Sequence, residues 1–110
     1  MIEHTEDSLY EQQADLCTVF SNAKRLKLLD LLKDDSERTV TELQEATGIP
    51  QSTVSRHLKL MRDQGVVTKR NDGVHSYYTL SDERVATSME LMRDVLIDRL
   101  EHDDQLAVPE

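Results

Sequence analysis

Thr39 and Glu42, three residues apart, open a short run, Thr39-Val-Thr-Glu42-Leu-Gln-Glu-Ala-Thr47, which Gly48 closes and which Ile49-Pro50 joins directly to a second amphipathic run. No other stretch constrains the fold as much. A Thr and a Glu at this spacing satisfy each other's orphan amides at a helix start. The residue before a proline is pushed out of the α region, and Pro50 suits a position at or just before a new helix, so residues 48–50 predict a tight turn between two helices. The second run, residues 51–64, places Val54, Leu58 and Met61 at spacings of four and three, the stripe of a helix packed on one side.

The other face of that second helix reads as polar or basic: Gln51, Ser52, Thr53, Ser55, Arg56, Lys59 and Arg62. Short hydrogen-bonding side chains near the helix start, with cations further along, suit base edges and phosphates respectively. The alternative is a solvated surface helix. Beyond Gly65, the runs Val66-Val-Thr-Lys-Arg70 and Val74-His-Ser-Tyr-Tyr-Thr-Leu80 are rich in β-formers and flank Asn71-Asp72-Gly73. This predicts a β-hairpin turning at residues 71–73, with Lys69, Arg70 and His75 near its tip. Two helices across a tight turn, followed by a hairpin, make a winged helix-turn-helix, and so a module for double-stranded DNA.

The rest of the chain reads as helices. Residues 8–20 carry Leu9, Leu16, Val19 and Phe20 on a stripe, and residues 23–32 carry Leu26, Leu28, Leu29, Leu31 and Leu32, too many for one narrow face. Ser81, with Asp82 and Glu83 behind it, predicts the start of a last helix. That helix shows Val85, Met89, Met92, Leu96 and Leu100, a stripe longer than a domain of this size covers alone, so a second copy of the chain is the expected partner. The expected architecture is mainly α with a small β-hairpin, five helices and two strands in the order α-α-α-α-β-β-α. Residues 1–110 form one domain on this reading, with helices 8–20 and 82–102 for dimerisation and residues 39–80 as DNA-binding core and wing.

The net charge of −9 counts against DNA binding at first sight, since Lys and Arg neutralise phosphates in such complexes. Its distribution removes the objection. Residues 1–23 hold five acids and no Lys or Arg, and residues 76–110 hold nine acids against three bases. Residues 50–71 instead sum to +4, from Arg56, Lys59, Arg62, Lys69 and Arg70 against Asp63. With 22 acids and only Phe20 and three tyrosines as aromatics, the composition resembles proteins of salt-loving archaea as well as ordinary acidic cytoplasmic proteins. No apolar run approaches the roughly twenty residues of a membrane span, and the amino-terminal residues are acidic, unlike a signal peptide, so a cytoplasmic protein with no membrane partner is expected. Cys17, the single cysteine, cannot form an internal disulfide and reads as a small core residue before it reads as a redox switch. No phosphate loop, nucleophile elbow or metal-spaced His and carboxylate pair suggests an enzyme or a cofactor.

The stretch from Leu43 to Val67, Ser55-Arg56-His57-Leu58 above all, resembles the ArsR (ArsR/SmtB-type) family of repressors. Phe20-Ser-Asn-Ala-Lys-Arg25-Leu-Lys-Leu-Leu29 is similar to that family's entry into its second helix, and the likeness covers about residues 9–100. It implies a homodimer on a pseudo-palindromic operator, paired through the first and last helices. The metal-sensing members carry cysteines at positions aligned with Thr39 and Thr41, or Asp and His ligands at positions aligned with Asp82, Arg84, Val95 and Asp98. Most of those donors are missing, so no metal is expected. Residues 101–104 with His4 of a second copy are a weaker candidate for a divalent ion, set against solvated helix ends. The leading expectation is a homodimeric transcriptional repressor. A winged-helix module binding an acidic protein, and a sensor of redox state or of a small ligand, are the alternatives.

Overall fold

The computed structural model describes residues 6–103. Helix α1, Glu6–Cys17, ends in a 3₁₀ turn, Thr18–Phe20, and α2, Ala23–Leu31, follows. The Asn22 side chain accepts from the Arg25 amide and so caps α2. Helix α3, Val40–Thr47, has the full capping box: Glu42 N–H donates to Thr39 Oγ1 at 3.2 Å and Thr39 N–H to Glu42 Oε1 at 3.0 Å. Gly48 ends α3 at φ +73°, a left-handed conformation that costs glycine no Cβ clash. Pro50 then leads into α4, Gln51–Asp63.

Strands β1, Val67–Asp72, and β2, His75–Leu80, pair antiparallel, with Val67 opposite Leu80 and Asp72 opposite His75. The expected turn at residues 71–73 is therefore shifted. Asn71 and Asp72 lie in the strand, and the reversal is the two-residue loop Gly73-Val74, with Gly73 at φ +61°. Gly-X supplies a tight hairpin turn as readily as the Asn-Asp pair would have. A further pairing was not foreseen: Arg38 bridges Tyr78, its N–H donating to the Tyr78 carbonyl at 3.0 Å and its carbonyl accepting from Tyr78 N–H at 2.8 Å. Asp34 and Asp35, at φ +61° and +58°, turn the chain after α2 towards this bridge.

Helix α5, Arg84–His102, begins two residues later than a cap at Ser81 suggested. Ser81 Oγ donates to the Gly65 carbonyl at 2.6 Å, and the Asp82 carboxylate takes the capping role, accepting from the Arg84 amide at 2.8 Å. Ser81 thus ties the end of the wing to the end of α4.

One core joins these elements. Leu28, Leu29 and Leu32 from α2 and the residue after it, Leu43 from α3, and Val54, Leu58 and Met61 from α4 are fully buried. Val66, Val67, Tyr78, Leu80, Ala86 and Met89 close it from the wing and α5. Each such aliphatic side chain contributes about 1.5–3 kcal/mol relative to exposure. Leu26 and Leu31 are only partly buried, packing against the core margin. Across the surface, Asp30 of α2 meets Lys33 at 3.3 Å and Arg93 of α5 at 3.7 Å, while Lys33 reaches Glu90 at 3.9 Å.

Two of the residues expected on a subunit seam belong to this core instead. Val19 is fully buried, and Met89 is 7% exposed, because the 3₁₀ turn and the first turns of α5 fold back over α2. Val85 packs at the core's edge. Leu9, Leu16, Met92 and Leu96 remain exposed, with Leu100 half-buried, and Leu91 and Val95 join them on the uncovered side of α5. Cys17 is exposed rather than in the core: with Leu16, Phe20, Leu26, Met92 and Leu96 it lines an apolar groove of about 660 Å³ between α1 and α5.

Candidate nucleic-acid interface

Helix α4 starts on Pro50 with no capping side chain, which leaves the positive end of the helix open to an anion. Its buried stripe turns Gln51, Ser52, Ser55, Arg56 and Lys59 outwards, and all five are exposed. Thr53 and Arg62, expected among them, sit half-buried at the two edges of that face. Thr53 Oγ1 accepts from Arg56 Nη2 at 3.4 Å, which steadies the arginine over the first turn. Lys59 pairs with Asp63 at 3.0 Å, one turn on. The outer face is also less polar than the sequence suggested, since Leu60 is 40% exposed.

The wing differs more. Lys69 and Arg70 are adjacent in β1 and so point to opposite faces. Arg70 stands opposite Tyr77, two pairs in from the tip. It donates to both carboxylate oxygens of Glu37, at 2.9 and 3.3 Å, and lies 4.8 Å from the centre of the Tyr77 ring. The Glu37 carboxylate, hydrogen-bonded to the guanidinium, raises the Arg70 pKa and fixes its charge. Of the three residues expected near the tip, only His75 is there, beside the exposed Asp72 and a Val74 that is 95% exposed. His75 also neighbours the Tyr77 ring, 6.3 Å away.

Residues that sequence reasoning passed over hold this surface in place. Arg25 and Glu37 act across 32 and 33 positions of chain, on His57 and Arg70 respectively, and no local pattern marks such pairs. At the start of α5, Arg84 grips Asp82 with Nε and Nη2, the latter at 2.7 Å, and holds the Asp82 pKa down to about 2. Asp82 and Arg84, two positions weighed for metal ligation, are thus paired with each other, and Thr39 serves as a helix cap. Among the described residues, no three His, Cys, Asp or Glu side chains gather as a metal site would require. His4 and Asp104 lie outside the described residues.

Comparison with known proteins agrees with this geometry. The profile for bacterial regulatory proteins of the arsR family matches residues 22–69, the span from the α2 cap into β1. The transcriptional repressor PagR of Bacillus anthracis is 34% identical over 86 residues, covering 77% of this chain and 85% of the relative. The arsenical resistance operon repressor of Bacillus subtilis is 31% identical over 84 residues, 76% of this chain and 80% of that one. A homodimeric winged helix-turn-helix DNA-binding domain from Mycobacterium bovis, solved by NMR, superposes with a TM-score of 0.79 at 32% identity, covering 94% of this chain and 97% of its own. An uncapped recognition helix on a capped partner helix, matched over most of its length by such regulators, has one reading: the chain belongs to the ArsR family of winged helix-turn-helix transcriptional regulators.

Proposed function

We propose that the protein represses transcription as a homodimer on a pseudo-palindromic operator, with α4 in the major groove of each half-site. The observation that carries this is the division of α4, where Val54, Leu58 and Met61 are buried while Gln51, Ser52, Ser55, Arg56 and Lys59 stand exposed around an open helix start. Arg56 reads a base edge, and Lys59, Arg62 and Lys69 meet phosphates. Arg70 does so only by leaving Glu37. The second copy covers Leu9, Leu16, Met92 and Leu96, residues that α1 and α5 leave exposed.

Among the described residues, no helix is long and apolar enough to cross a membrane. The family is one of regulators, which supports a non-enzymatic reading of a cytoplasmic protein. With Thr39, Thr41, Arg84 and Val95 in place of ligands, the signal is not a metal held at either family site. The test is titration of operator and scrambled duplexes, the operator taken from footprinting of genomic DNA. Arg56→Ala should cost about 1–3 kcal/mol on operator and relax one base pair per half-site, while Lys59→Ala weakens both duplexes alike. Equal losses on both for Arg56→Ala would end the base-reading assignment, and no preference for any genomic fragment would end the regulator reading.

A further inference from the structure

Arg25 lies outside the helix-turn-helix, yet through it the end of α1 reaches the recognition helix. Its Nε donates to the Val19 carbonyl at 2.9 Å and its Nη2 to the Thr18 carbonyl at 3.0 Å, so two nitrogens of the fork hold the 3₁₀ turn. The third, Nη1, is 3.4 Å from Nδ1 of His57 in α4. A guanidinium can only donate, so the contact needs a lone pair on Nδ1, and the neutral ring then carries its proton on Nε2. His57 is half-buried, and the charged groups around it are Arg25 and Lys24 of α2 and Arg56 of its own helix, all cations.

We propose that Arg25 and His57 form a proton-sensitive strut that positions α4 against the α1–α2 corner, so that protonating this one imidazole lowers discrimination between operator and other DNA. The DNA half of the inference rests on the regulator reading above; the strut does not. Protonation places an N–H on Nδ1, facing a group that also donates, and removes the only acceptor that α4 offers Arg25. The guanidinium keeps its two carbonyls, so the corner stays and α4 is what loosens. Val54, Leu58 and Met61 still hold the helix in the core, so the change is one of aim rather than unfolding. An imidazolium beside Arg56 also adds a cation near the phosphates, which strengthens binding to every sequence alike and leaves the ratio to be set by the lost aim. Burial, followed by the charges of Arg25, Arg56 and Lys24, lowers the His57 pKa below its ordinary 6.5. The neutral, strutted ring therefore prevails at neutral pH and is lost only as pH falls through that lowered value.

The first measurement needs no DNA. Long-range proton–nitrogen NMR of the ring should show an Nε2–H tautomer and a titration midpoint below 6.5, the ordinary value. An Nδ1–H tautomer, or a midpoint at or above that value, overturns the strut. The second compares operator with scrambled duplex at about pH 7.5 and at least about one pH unit below the midpoint so measured, where the wild-type ratio should fall about tenfold, the weight of one charge-assisted hydrogen bond. The ratio for His57→Gln, whose amide oxygen accepts without titrating, should not change between the two pH values, and at the higher one it should exceed that of His57→Leu. A His57→Gln protein that loses discrimination in parallel with wild type overturns the proposal. If no duplex is bound at all, the discrimination half falls with the regulator reading, while the ring titration still decides the strut.

Discussion

Three side chains at helix starts set where two elements begin, Thr39 and Glu42 for α3 and Asp82 for α5. The Thr39 amide and hydroxyl hydrogen-bond the Glu42 carboxylate and amide, and the backbone donation from Thr39 is the main reason the Glu42 pKa is lowered. Asp82 is held to about 2 by Arg84. Both carboxylates have folded-state values below their unfolded ones, so the stability they add is complete above the ordinary carboxylate range and is lost as pH falls through the lowered values. Thermal stability should therefore fall a little below about pH 6.5, where only the unfolded chain protonates His57, and more steeply below about 4, where the two carboxylates titrate. Asp82→Asn should flatten that acid limb. Thr39→Ala should cost about 0.5–2 kcal/mol at neutral pH, read from denaturant midpoints. A wild-type acid limb no steeper than that of Asp82→Asn would show that Asp82 gains nothing from its cap.

At the scale of elements, the wing is the least free part of the interface. Arg70 is bound to Glu37 and stacked near Tyr77, and the Arg38–Tyr78 bridge joins the same strand to the loop before α3. Glu37→Gln should release Arg70 towards phosphate, raising affinity for all duplexes several-fold and steepening the salt dependence by about one counterion. An unchanged salt slope would show that Arg70 stays off the DNA. The helix-turn-helix was legible in sequence because its determinants are local: a capping box, a glycine at positive φ, a proline, and apolar residues spaced by one helical turn. The wing was legible only in outline. Strand alternation sends Lys69 and Arg70 apart, and Gly73-Val74 competes with Asn71-Asp72 for the turn, a choice settled by register against Leu80 and Tyr78 rather than by composition. Arg25 and Glu37 were missed because their partners are brought to them by the fold.

Across the molecule, 52 × 43 × 23 Å, most of the apolar surface that the core does not use lies on α1 and α5, with Leu60 of α4 and Val74 of the wing apart from it. The terminal stripes suggested a seam along their full length, but the core takes Val19 and Met89, and the exposed remainder is Leu9, Leu16, Leu91, Met92, Val95 and Leu96. Leu96→Glu should give a folded monomer with greatly weakened operator binding, since two recognition helices about 34–36 Å apart are needed to span one turn of DNA. Asp94 and Asp98 on α5 repel their counterparts across such a seam, whereas Glu90 is drawn off by Lys33. Sedimentation should show association strengthening from low to high salt in the wild type and none for Leu96→Glu. A wild type monomeric at micromolar concentration in both buffers would discard the seam. The segregation of charge has a kinetic consequence. Beyond about one Debye length, about 8 Å at physiological salt, a chain of net charge −9 and a duplex are screened from each other; inside it, approaches led by the acidic ends are repelled and only an approach led by the basic side of α4 is favoured. Such a protein gains little by lingering on the wrong stretch of chromosome; it searches by short visits and release, and the time it spends bound is reserved for the sites that its recognition helix can read.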